Sequence, residues 1–264
     1  MIDWNIDPTL FTLGPLSPRY YGLLFAGAFL ASYYFMRIMC NDAKKSQQDL
    51  DSLTITIIVS TIVGARLGHV LFYEPQIITQ DFMEVFAVWH GGLASHGGAI
   101  GIITGLWIYH KRKKGYSMTW LLDRLAIVAA VSGLLIRVGN FFNSEILGMP
   151  TTMPWGVWFK RVDILPIYRH PAQLYEAVLC LVVFVLLWRL YKGGLAFRKP
   201  GMLIGLFMVL IFIGRFVIEF VKERQVGFEA GLLFDMGQLL SIPFVLAGAY
   251  YIWKASKTQV SSTV

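Results

Sequence analysis

Ile136–Gly148 reads IRVGNFFNSEILG. It closes an apolar run that begins near Trp120, yet it places Arg137, Asn140, Asn143 and Glu145 close together at the end of that run. A guanidinium, two amides and a carboxylate are costly beside lipid, and in such positions they face a cavity or a partner. The stretch therefore reads as the end of a membrane span that opens onto a polar site.

Composition supports the membrane. Of 264 residues, 56% are hydrophobic and only 15% charged, and the mean hydropathy is +0.59, far more apolar than a soluble domain. The net charge of +7 does not imply nucleic acid, because the basic residues fall in short clusters between apolar runs, as membrane topology demands. Cys40 and Cys180 sit inside apolar stretches without metal-ligand spacing and are expected to pack as small hydrophobes. The first residues carry Asp3 and Asp7 and lack the basic region of a cleavable signal, so the N-terminus is expected to be retained.

Apolar runs long enough to cross hydrocarbon lie at 20–39, 53–73, 93–109, 120–140, 173–191, 201–220 and 236–253. The expected fold is an all-α integral membrane protein of seven transmembrane helices, a single polytopic domain over 1–264. The long connection 141–171, with Trp155, Trp158 and Phe159 beside Lys160 and Arg161, is expected to form a cap on the outer side. Clusters at Arg37/Lys44/Lys45, Lys111–Lys114, Arg189–Lys199 and Lys254/Lys257 all fall on one side of this scheme. The positive-inside rule then puts the N-terminus outside and the C-terminus in the cytoplasm.

Span direction sets depth. At about 1.5 Å of rise per residue, Arg66, Arg137 and Arg215 fall in the outer halves of their spans, and Tyr21, His96 and Glu176 at outer ends. Glu219 lies one turn beyond Arg215 on the same face. The expectation is one polar site opening toward the outer leaflet. Plainer readings stand beside it. Arg66 serves equally as a snorkelling or carboxylate-paired residue, Arg215 with Glu219 as a helix-stapling pair, and Glu176 as a brace for span five. His90 and His96 read as interfacial histidines, and Asp123 with Arg124 as charges reaching the interface.

Other chemistries fail by pattern. No Cys/His pair has zinc spacing, H-E-x-x-H is missing and no aspartate cluster suits a divalent cation, so no metal or other cofactor is expected. No Gly-x-Ser-x-Gly elbow occurs, and Ser95 is too close to His96 for an ordinary dyad. The glycines of HGGLASHGGAIG, Gly98 among them, suit close helix approach and backbone access to a ligand. No mid-bilayer charge or half-to-half repeat favours transport, which remains the alternative class as a small-solute or lipid transporter, beside a non-catalytic lipid-binding scaffold.

Arg137–Gly148, RVGNFFNSEILG, resembles the signature of the bacterial prolipoprotein diacylglyceryl transferases. Tyr20-Tyr21-Gly22, His96-Gly97-Gly98, His170-Pro171 through Gln173-Leu174-Tyr175-Glu176, Gly214-Arg215-Phe216 with Glu219-Phe220, and Met236-Gly237-Gln238 with Ser241-Ile242-Pro243 resemble that family in order, over nearly the whole chain. Ile136 stands where the family often has Gly, Ser95 where it often has Phe, and Lys222 where it often has Arg, which removes a planar fork at 222.

The resemblance implies a multi-pass enzyme of the bacterial inner membrane with its site toward the periplasm. It implies transfer of the diacylglyceryl group of phosphatidylglycerol to the lipobox cysteine thiol of a prolipoprotein, forming a thioether and releasing glycerol phosphate. The partners are then the anionic lipid, the signal peptide and the bilayer, with no nucleic acid. Cations fixed at a phosphate that gains charge as it leaves stabilise the transition state beyond the ground state, which suits Arg137 and Arg215 as a clamp. Asn140, with Asn143, suits phosphate or glycerol, while Glu145 and Glu219 suit guanidinium orientation or glycerol hydroxyls. The substrate brings its own nucleophile, a thiol that reacts as thiolate. His96 or Tyr21 is the candidate to receive its proton or polarise the headgroup, and arginines that lower the thiol pKa would make a dedicated base optional.

Overall fold

The computed structural model describes residues 1–14, 16–223 and 234–258. In chain order the elements are β1 (Ile2–Trp4), α1 (Tyr20–Asp42), α2 (Gln47–Phe72), α3 (Ile77–Gln80), α4 (Ser95–Arg112), α5 (Met118–Asn143), β2 (Val157–Phe159), α6 (Ala172–Lys192), α7 (Leu195–Arg198), α8 (Met202–Glu219) and α9 (Met236–Lys257), with 3-10 turns at Phe82–Phe86 and Val88–His90. Among the described residues, six helices are long and apolar enough to cross a membrane: α1, α2, α5, α6, α8 and α9. The expected third span is the helix α4, which is not one of the six. It opens on Ser95, His96, Gly97 and Gly98 and closes on His110, Lys111 and Arg112, so its composition is less apolar than that of its neighbours.

Helix ends extend past the hydropathy limits because polar caps, which carry no apolar signal, hold them. α2 starts at Gln47, before the expected 53, where Ser46 Oγ accepts from Asp49 N at 3.1 Å. α9 starts in a capping box between Asp235 and Gln238.

The chain folds as two compact units, Met36–Leu121 and Met1–Phe35 with Leu122–Val264. In the first, α2 and α4 meet through glycine: a Cβ on Gly97 would fall 2.2 Å from Gly64 O, and one on Gly101 2.0 Å from Ser60 O. Only glycine permits backbones that close. Tyr109 Oη donates to Asp49 O at 2.9 Å, and Lys113 Nζ lies 3.0 Å from Asp49 Oδ1.

In the second unit β1 runs parallel to β2, with Trp4 against Phe141 at 4.3 Å between ring centroids. The Lys160 ammonium bonded to Asp3 holds that carboxyl below its ordinary range. Arg169 forms a two-point pair with Asp163 at 2.7 and 2.8 Å. Asp123 and Arg124, read from the sequence as charges reaching the interface, are buried inside the protein. Asp123 accepts from the backbone N–H of Gly201 and Ile204 at 2.7 and 2.9 Å, satisfying the start of α8, while Arg124 lies over the rings of Tyr191 and Phe197. A helix start without a polar side chain of its own needs an acceptor from elsewhere, which is why this carboxylate turns inward. Neither cysteine is in a disulfide.

Candidate active site

α5 carries Arg137 and Asn140 three residues apart, on one face. Arg137 Nη1 donates to Asn140 Oδ1 at 3.1 Å, and Nε forms an ion pair with Glu176 Oε2 of α6, without hydrogen-bond alignment. The other oxygen of Glu176 lies 3.4 Å from Lys222 Nζ, and Lys222 Nζ lies 3.3 Å from Glu219 Oε2. Side-chain exposure is 21% for Arg137, 6% for Glu176, 4% for Lys222 and 12% for Glu219. Burial at this level is tolerable because the charges alternate along the chain of contacts.

Backbone pairing sets the position of Lys222. Segment 147–149 lies between two others: Gly148 N donates to His170 O at 3.1 Å, Met149 N to Val221 O at 2.8 Å, and Glu223 N to Leu147 O at 3.0 Å. A Cβ on Gly148 would sit 2.3 Å from His170 O, so the glycine that ends the opening motif is the one that lets these strands meet. The end of α5, the start of α6 and the end of α8 are thereby tied together beside the charged chain.

The turn after α5 is strained. Ser144 and Ile146 have φ of 56° and 57°, left-handed values unusual for non-glycine residues, and Glu145 lies between them. Its carboxylate accepts from Asn140 Nδ2 at 3.4 Å and from Asn143 Nδ2, and its backbone oxygen accepts from Gln173 Nε2. Gln173 is fully buried and was visible in the sequence only as part of HPAQLYE; no spacing rule marks it as the brace of this turn.

Tyr21 of α1 lies against α5 at Gly139, where a Cβ would come within 2.9 Å of its ring. Glu219 lies against the start of α9, where a Cβ on Gly237 would meet its carboxylate at 2.6 Å. Glu219 pairs with Lys222, and Arg215 makes no ion pair among the described residues, so the stapling pair between Arg215 and Glu219 is not formed. Arg215 is half-buried.

Arg66, His96 and Gly98 belong to the other unit. Arg66 is buried and donates to four backbone oxygens: Val85 (3.1 Å), Gly91 (2.8 Å), Gly92 (3.4 Å) and Glu84; it also pairs with the Glu84 carboxylate. Its guanidinium thus holds the 84–92 connection, and Glu84 in turn meets His90 Nδ1 at 2.9 Å. His96 is exposed in the first turn of α4, and Gly98 is buried against Ala65 and Thr61.

The arrangement around Arg137 suits an anion. Asn140 and Glu176 fix the guanidinium from two sides, and Nη2, which makes no hydrogen bond among the described residues, can donate to a bound oxygen. The family model for prolipoprotein diacylglyceryl transferase matches residues 8–254. Phosphatidylglycerol–prolipoprotein diacylglyceryl transferases from Tolumonas auensis and Porphyromonas gingivalis are each 44% identical, over 97% and 98% of this chain and 98% and 96% of their own. The one from Chloroherpeton thalassium is 41% identical over 97% of this chain and 95% of its own. With Arg137, Asn140, Asn143 and Glu145 of the signature gathered in one polar cluster and the match running nearly end to end, the chain belongs to the prolipoprotein diacylglyceryl transferase family.

Proposed function

We infer that this protein is a transferase that moves the diacylglyceryl group of phosphatidylglycerol onto the lipobox cysteine of a prolipoprotein, the first step of lipoprotein maturation. The observation that carries this is the near full-length match to transferases named for that reaction. The sulfur of the substrate cysteine attacks the glyceryl carbon bonded to the phosphate oxygen. The carbon–oxygen bond breaks with its electron pair going to oxygen, and glycerol phosphate leaves as the thioether forms.

Roles follow from charge and position. The phosphate gains charge as the bond breaks, so fixed cations lower the barrier more than they tighten ground-state binding. Arg137 is the first of these, and its support from Asn140 and Glu176 favours the role; Arg215 is the second. Asn140, Asn143 and Glu145 form the polar wall that meets phosphate or glycerol hydroxyls, with Glu176 and Glu219 orienting the cations. His96, exposed at the start of α4, receives the thiol proton, and Tyr21 meets the headgroup. Arg66 contributes by fixing its connection, since its donors are engaged by backbone oxygens, and Gly98 gives α4 its approach to α2.

For topology, α4 serves as a seventh span, with the N-terminus outside, the C-terminus in the cytoplasm, and the 141–171 connection as a periplasmic cap. The distribution of lysine and arginine supports this orientation, and the bilayer is then the bacterial inner membrane, with the site toward the periplasm.

The test is product formation from labelled phosphatidylglycerol and a lipobox cysteine peptide. The wild-type protein is expected to form the thioether, and Arg137→Ala to lose roughly 100-fold to 1,000-fold in kcat/KM, as for loss of a transition-state donor. Wild-type protein that made no thioether would remove the function, and Arg137→Ala protein with normal turnover would remove the clamp.

A further inference from the structure

We propose that Lys222 is a positioning residue for the phosphate site: its buried ammonium holds Glu176 and Glu219, and so keeps Arg137 available to the lipid headgroup. This rests on Arg137 as the phosphate cation. Lys222 Nζ lies between carboxylates from two helices, 3.4 Å from Glu176 Oε1 and 3.3 Å from Glu219 Oε2. Its backbone is fixed independently of those contacts by the bridge to Gly148. The ammonium therefore sits where the strand pairing puts it, and the carboxylates come to it.

The consequence lies one contact further on. Glu176 is shared, with Oε1 toward Lys222 and Oε2 toward Arg137 Nε. While Lys222 occupies Oε1, Arg137 meets Glu176 through one nitrogen and keeps Nη2 for a ligand. Guanidinium and carboxylate favour a two-point pairing. Without the ammonium, both oxygens of Glu176 are open to Arg137, which is drawn toward Glu176 and away from the lipid. The same loss leaves Glu176 and Glu219 with one cation fewer, and the surplus negative charge repels the phosphodiester. Both effects act on binding of the anionic lipid and neither acts on binding of the peptide, so the two KM values report differently.

The experiment measures KM for phosphatidylglycerol and for a lipobox peptide separately, with full-length protein in mixed micelles, for Lys222→Met, Lys222→Gln and Lys222→Arg. Both neutral variants are expected to raise the lipid KM about tenfold, through the surplus negative charge, and to lower kcat, through the displaced Arg137, with the peptide KM unchanged. Lys222→Arg keeps the charge and is expected to stay within about threefold of wild type in lipid KM. A neutral variant with the wild-type lipid KM, or an equal rise in both KM values, would overturn the proposal. So would failure of both neutral variants to fold while Lys222→Arg folds, because Lys222 would then serve the fold alone. Arg137→Ala in the same assay separates the two readings: impaired Arg137→Ala beside a normal Lys222→Met removes only the role of Lys222, whereas normal Arg137→Ala removes the phosphate site itself.

Discussion

Arg137 on α5 and Glu176 on α6 form an ion pair in which the carboxylate faces Lys222 with its other oxygen. One acid is thus shared by two cations that reach it from different elements.

Glu176→Gln is therefore expected to destabilise the protein as well as slow it. The substitution leaves Arg137 and Lys222 close together without the charge that separates them. Breaking a buried pair costs about 3 kcal/mol at the lower end of its range, which applies here because Arg137 keeps partial contact with its surroundings. A thermal melt in detergent measures this, and a variant that melted with the wild type would show that the pair contributes nothing.

Asp123→Ala removes the acceptor for two N–H groups at the start of α8. The expected loss is about 2 kcal/mol, from a missing cap and buried donors left without partners. Asp123→Asn keeps one acceptor oxygen and is expected to lose less. Equal melting temperatures for the two variants would argue against capping as the cause.

Gly101→Ala places a methyl group where Ser60 O already lies, and α4 must move from α2 to admit it. The expected cost is at least about 2 kcal/mol, in the range for overpacking. Gly22 of α1 has open space around its missing Cβ, and Gly22→Ala is expected to change stability by less than about 0.5 kcal/mol. Parallel melts compare them, and a neutral Gly101→Ala would show that the two helices do not depend on close approach.

Arg66→Lys keeps the charge but cannot reproduce a planar fork directed at several carbonyls. Hydrogen exchange across residues 84–92 is expected to quicken in Arg66→Lys nearly as much as in Arg66→Ala. Full protection in the lysine variant would mean that charge alone holds the connection.

Much of the fold was legible because membrane spans obey a one-dimensional rule. Apolar length marked α1, α2, α5, α6, α8 and α9 within a few residues at most ends, since a span must satisfy its backbone internally and cover itself with apolar side chains. The misplaced start of α2 was a polar first turn, which hydropathy cannot detect. Within the site, Arg137, Asn140 and Glu145 were visible as polar groups in an apolar context. Gln173 and Lys222 were not, because their importance lies in which distant backbone or carboxylate they meet. Asp123 looked like an interfacial charge for the same reason: its sequence neighbours say nothing of the start of α8, which it caps.

The sequence by itself determined that this protein crosses a membrane, where most of its helices run, and which family signature its polar residues compose. These properties depend on composition and local order, which the chain carries without folding. Only the tertiary structure decided how the charges are shared: Glu176 between Arg137 and Lys222, Glu219 with Lys222 instead of Arg215, and Arg66 on the carbonyls of its own connection. Electrostatic pairing falls off over a few ångströms, so a side chain's partner is fixed by where the backbone carries it, not by how near the two lie in sequence.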